Sequence, residues 1–416
     1  MRTFALALLA SALTGLCSNA NAADTSFARI EQGRRLVNAG DCVSCHTAEK
    51  GKPFAGGRSI ETPFGVIYSP NLTPDRQTGI GGWSDEDLYR AMHFGRRPDG
   101  SRLYPAFPYP YFTKMTRDDV MAVRAYLNTL PAVDSRSHGL SLTWPLNHRM
   151  VMRGWDWMFF KPGTFRTNPE KSAEWNRGAY LVEGAAHCGA CHTPKNILGA
   201  DKTSEAFHGG VIQNWFAPKI ANNMHDGTGA WSIDDMVEYL KTGRNKFSGA
   251  AGLMSEVVSN STSKLPDADL HAIATYIKDI DGGPASPPPP QKEPDDKRFL
   301  AGKAIFNDSC AACHQADGKG VPNMFPPLQG NANVQQRDPT TVVRVILEGA
   351  RTVATDPRPT PFAMPAFNWK LKDDEVAAVA NYVRTAWGNH APPVDPDQVK
   401  KLRAAVHHDQ TTVPAN

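Results

Sequence analysis

The chain has 416 residues, with 45 basic and 42 acidic side chains and a formal net charge of +3. So even a balance argues against a nucleic-acid binder, and the length suits two to four domains. Hydrophobic residues make up 41%, ordinary for soluble protein. Beyond the leader no apolar run approaches the roughly 20 residues that span a bilayer.

Met1-Arg2 precedes an apolar run from Phe4 to Leu16, and small residues then lead to Ala20-Asn21-Ala22. This pattern reads as a secretory signal peptide over residues 1–22, with Ala23 as the expected mature N-terminus. Cys17 follows Leu16, where a lipobox would place a small residue, so it reads as part of the leader.

Three segments then repeat one plan. The expected domains cover 23–135, 173–282 and 295–391. Each opens with a short amphipathic helix carrying a glycine, at Gly33, Gly178 and Gly302. A mid-helix glycine costs about 1 kcal/mol against alanine, so close approach of a second helix is its expected reason. That second helix closes each segment. The first is capped by Thr116 and carries Val120, Val123, Tyr126 and Leu127. The second runs from Asp267 through Leu270, Ile273, Tyr276 and Ile277, and the third from Asp373 through Val376, Val379, Tyr382 and Val383. Apolar residues at helical spacing, an aromatic among them, read as core. In the first two segments, Trp83-Ser84 and Trp231-Ser232 begin capped middle helices. Their tryptophans are read either as core or as indole donors to a cofactor carboxylate.

The connectors differ. Residues 136–172 carry Trp144, Trp155, Trp157, Phe159 and Phe160 beside Arg149 and Arg153. This stretch is expected to seal two domains together, with docking of a partner as the alternative. Residues 283–294 contain Pro287-Pro288-Pro289-Pro290, a semi-rigid spacer that makes the third domain the one expected to move. Residues 392–416 read as a loose polar tail.

Every cysteine beyond the leader falls in one of three C-x-x-C-H motifs: Cys42 and Cys45 before His46, Cys188 and Cys191 before His192, Cys310 and Cys313 before His314. This is the attachment pattern of a c-type haem. Two thiols so spaced add to the two vinyl groups on one porphyrin edge, and the next histidine meets the iron. A zinc ribbon needs CxxC pairs that close one tetrahedron, and a redox CxxC has no need of the histidine. Three haem c groups are the expected cofactors, in a mainly α chain of three class I cytochrome c-like domains in tandem.

The iron's other axial ligand is sought in the loop before each closing helix, where a methionine thioether raises the potential. Met364, in Pro361-Phe362-Ala363-Met364-Pro365, is the candidate in domain 3, with Met324 as rival. Met254 is the candidate in domain 2, with Met224 as rival. In domain 1 the corresponding stretch, Leu103 to Tyr109, offers Phe107, which cannot bind iron. Met115, just before Thr116, is the expected ligand there, ahead of Met92 and His93. Met92 reads as packing, and His93 would make a bis-histidine haem.

The chain resembles the tri-haem cytochrome c subunits of bacterial membrane-associated dehydrogenases acting on alcohol, gluconate or fructose. The resemblance rests on Leu103-Tyr104-Pro105-Ala106, on Tyr180-Leu181-Val182-Glu183 with His187 through Asn196, on Phe216-Ala217-Pro218, and on Met364-Pro365-Ala366-Phe367. The resemblance implies an electron-transfer subunit with no substrate chemistry of its own. It would accept electrons from a catalytic dehydrogenase subunit and pass them to ubiquinone or a terminal oxidase. It would work in the periplasm, in peripheral association with the outer face of the inner membrane. The residues contain no Rossmann fingerprint, P-loop or nucleophile elbow. The alternatives are a peroxidase-like haem enzyme with an open iron in domain 1, or an oxidase-associated cytochrome.

Overall fold

The structure, a computed structural model, describes residues 26–283 and 296–411. The expected signal peptide, Cys17 and the proline run lie outside them. Each domain is built on a crossed pair of helices. In domain 1, Phe27–Ala39 packs on Arg117–Leu127. In domain 2, Ala173–Tyr180 packs on Asp267–Asp279. In domain 3, Asp296–Ser309 packs on Asp373–Thr385. The three helix glycines sit at these crossings, as expected. A Cβ on Gly33 would lie 1.9 Å from the Ala122 carbonyl oxygen, one on Gly178 1.9 Å from that of Ala272, and one on Gly302 2.2 Å from that of Ala378. The same three atoms would press on Tyr126, Tyr276 and Tyr382. No rotamer relieves a clash with backbone, so the helices would have to separate. Gly178→Ala is therefore expected to cost about 3 kcal/mol of stability, read as a lower unfolding midpoint in denaturant.

The middle helices Asp85–Phe94 and Ile233–Thr242 begin in capping boxes, Ser84 with Asp87 and Ser232 with Asp235. Glycine in the left-handed region ends both, at Gly95 and Gly243. Domain 3 places Thr340–Glu348 in the same role. Trp83 and Trp231 both pack against the core, and the Trp231 ring stacks on Phe247 at 5.7 Å. Short antiparallel hairpins decorate the helices, Ser59–Thr62 with Gly65–Tyr68 and Gly210–Ile212 with Trp215–Ala217.

Domains 1 and 2 share one hydrophobic core, which runs from Leu36 to Ile277 through Met115, Leu181, Val182 and Leu270. Polar bonds close the seam. Asn260 Nδ2 donates to Ser44 Oγ at 2.8 Å, Arg58 pairs with Glu256 at 2.8 Å, and His187 Nε2 donates to the Gly40 carbonyl at 3.2 Å. Domain 3 has a core of its own around Phe306, Leu347, Val376 and Val399. It meets domain 2 through polar contacts. The Thr341 hydroxyl donates to the Phe216 carbonyl at 2.8 Å and accepts from its N–H at 3.1 Å. Arg344 donates to the Gln213 carbonyl at 2.9 Å, and Arg358 pairs with Glu238.

One expectation is corrected. The tail is not loose. Pro396–Thr411 is a helix that packs on the middle and closing helices of domain 3. Val394 and Val399 are buried, and Arg403 pairs with Asp373 at 2.7 Å. The connector does more than seal. Ser141–Leu142 adds a strand to the first hairpin, while helix Val151–Phe159 buries Met152 and Trp155 but leaves Trp157 in solvent. No helix among the described residues is long and apolar enough to cross a membrane.

Candidate haem-binding sites

Each CxxCH forms a single helical turn. His46, His192 and His314 donate their backbone N–H to the carbonyls of Cys42, Cys188 and Cys310, at 2.9, 3.0 and 3.0 Å. That closure holds both thiols and the imidazole of one motif on a single turn. A glycine in the left-handed region then fastens each histidine from behind. Gly56, Gly209 and Gly320 donate to the carbonyls of His46, His192 and His314 at 2.8, 2.8 and 3.0 Å.

The rings are aimed by a second repeated contact. Nδ1 of His46 lies 2.8 Å from the Pro70 carbonyl, Nδ1 of His192 2.7 Å from that of Pro218, and Nδ1 of His314 3.3 Å from that of Pro326. A carbonyl only accepts, so Nδ1 carries the proton and Nε2 keeps its lone pair. Burial lowers all three histidine pKa values, against the opposing pull of the prolyl carbonyl. Each ring is thus a neutral imidazole, oriented and tautomer-fixed, the form that binds iron. Sequence reasoning missed all three prolines as orienting residues, Pro218 having entered only within the Phe216-Ala217-Pro218 motif. The available signal was a proline followed two residues later by Leu72, Ile220 or Leu328.

Burial pushes the Cys42 and Cys188 thiols up to about 12. Among the described residues no three Cys, His, Asp or Glu side chains converge on a metal position. The three motifs lie one in each domain.

The methionines sort by burial. The rivals Met224 and Met324 point into solvent, 70% and 43% exposed. Met364 lies in a short strand paired with Ala350 and packs against the domain 3 core. Met254 begins helix Leu253–Asn260, which packs on the Cys42–Cys45 turn of domain 1. Met115 is 1% exposed and Met92 6%, both in the shared core. Phe107 lies 5.2 Å from Phe112, packed beside them. His93 is buried and stacks on Tyr89 at 4.9 Å.

Unpartnered buried atoms supply a further test of fit. Arg244 Nε and Nη1 have no acceptor. Arg244 follows the middle helix of domain 2 and stacks on Phe362 of domain 3 at 4.5 Å, two residues before Met364. Buried guanidinium nitrogens without acceptors are costly, and an anion such as a haem propionate would suit them. The residues fit haem c.

Tandem helical units, each with a thiol pair and an imidazole oriented by a prolyl carbonyl, define a multi-domain c-type cytochrome. The cytochrome c family model matches residues 30–131, 176–281 and 299–387, and the chain belongs to that family. It is 40% identical over 398 residues to the cytochrome c subunit of a quinone alcohol dehydrogenase from Gluconacetobacter polyoxogenes, covering 91% of this chain and 85% of that protein. Over 382 residues it is 36% identical to the gluconate 2-dehydrogenase cytochrome c subunit of Pantoea cypripedii, covering 88% and 87%. A diheme c-type cytochrome of Cereibacter sphaeroides is 38% identical over 255 residues, which is 60% of this chain and 85% of that protein.

Proposed function

We propose that the chain carries three covalent haems, one per CxxCH, and moves single electrons from a catalytic dehydrogenase subunit to ubiquinone or a terminal oxidase. The observation that carries this reading is the threefold recurrence of the prolyl-oriented histidine within a two-thiol turn. When bound, haem supplies the redox chemistry. The chain's own part is to tether it, fix its axial ligands and bury it. His46, His192 and His314, together with Met115, Met254 and Met364, would hold the irons. The dehydrogenase partner is supported by the relatives, which are named as subunits of such enzymes.

The proposed location is the periplasm, at the outer face of the inner membrane. The signal-peptide pattern of residues 1–22 supports export. The peroxidase-like alternative needs one open iron. The test is to purify the complex gently in detergent and add the partner's substrate under anaerobic conditions. All three haems should become reduced, and carbon monoxide should form no adduct. A carbon monoxide adduct with turnover of hydrogen peroxide would move the function to the enzyme reading.

A further inference from the structure

The connector helix Val151–Phe159 has two unlike faces. Inward, Met152 and Trp155 join Tyr104, Tyr109 and Ala200 in a small core, and the Trp155 indole donates to the Leu198 carbonyl at 3.0 Å. Tyr109 donates to buried Asp156 at 2.5 Å. Outward, Trp157 is 86% exposed and Trp144 79%. Met150 and Met158 on and next to the helix are exposed too, as are Ile197 and Leu198 on the loop that Trp155 holds. An apolar patch on a rigid base marks a docking surface.

Charge selects the occupant. From Trp144 to Arg166 the only acidic residue is Asp156. It is buried and paired with Arg102 at 3.0 Å, so it adds no negative charge to the surface. Arg153, Lys161 and Arg166 are exposed. Tryptophan and methionine flanked by arginine and lysine, with no exposed acid in that stretch of chain, match the boundary between water and an anionic lipid layer. There indoles sit at headgroup depth and cations meet phosphates. We propose that this face seats the protein on an anionic membrane surface, Trp144 and Trp157 entering the headgroup layer. The inference rests on the location proposed above and names the element that produces it.

The test uses the full-length haem protein and sedimentation with vesicles of phosphatidylcholine, alone or mixed with phosphatidylglycerol. The wild type should bind the anionic vesicles, less so at high salt. Trp144→Ser and Trp157→Ser should each weaken binding about tenfold, the scale of losing one buried aromatic side chain. Arg153→Glu with Lys161→Glu should remove the preference for anionic lipid. All four side chains are exposed, so the haem spectra should stay unchanged and report intact folding. Variants that bind vesicles like the wild type would overturn this face and leave the location standing. A wild type that ignores every vesicle would overturn both. Variants that keep vesicle binding but lose the catalytic subunit would make the face a protein dock instead.

Discussion

Met364→Ala is expected to open the third iron and lower its potential by on the order of 100 mV or more, because a thioether ligand gives way to water or hydroxide. The structure makes this a clean substitution. Met364 pairs with Ala350, Phe362 and Thr352 bond each other on both sides, and Phe367 donates to the Ile346 carbonyl at 3.0 Å. The loop is therefore expected to hold its shape without the methionine side chain. Domain 3 also has its own core, so the other two haems should be untouched. Redox titration followed by visible spectroscopy reads both effects. Retention of all methionine-to-iron absorption at the red edge of the oxidised spectrum would remove Met364 as ligand. Met254→Ala should open the second iron in the same way. Because its helix packs on the Cys42–Cys45 turn, that variant should also shift the first haem.

Met115→Leu is expected to turn the first haem high-spin while the protein keeps its fold. Met115 stands two residues before its closing helix, and Leu265 and Leu371 stand two residues before theirs. All three are buried, at 1%, 1% and 7% exposure. The position thus has a packing role that leucine fills in the other domains, and methionine adds to it a donor sulfur on a flexible stem. Leucine keeps the volume and removes the sulfur, whereas alanine would also open a cavity costing about 2–5 kcal/mol. Electron paramagnetic resonance separates the outcomes. A low-spin first haem in Met115→Leu would leave only packing to this residue. Loss of the low-spin signal in Met92→Leu or His93→Gln instead would move the ligand to that side chain.

The parts of the fold written in local chemistry were legible in the chain. The CxxCH turns, the capped middle helices and the glycine crossings each have a local reason, and all appear where the residues put them. The parts settled by tertiary contact were not. Pro70 and Pro326 orient histidines 24 and 12 residues before them, distances at which no spacing rule connects a carbonyl to a ring. The last helix was hidden because Val399, Leu402 and Val406 make a thin apolar stripe in a polar stretch. That stripe gains its meaning only from the domain 3 core it covers. The two-faced connector misled for a related reason: Trp155 and Trp157 are alike in sequence, and only the fold sends one inward and the other out.

The number of haems on the chain is the most direct measurement. Intact mass of the exported protein, from cells competent in haem attachment, should exceed the polypeptide by three haems. Replacing both cysteines of any one motif by alanine should remove a single haem and leave two. Two or fewer haems on the wild type would contradict the assignment of one haem to each oriented histidine.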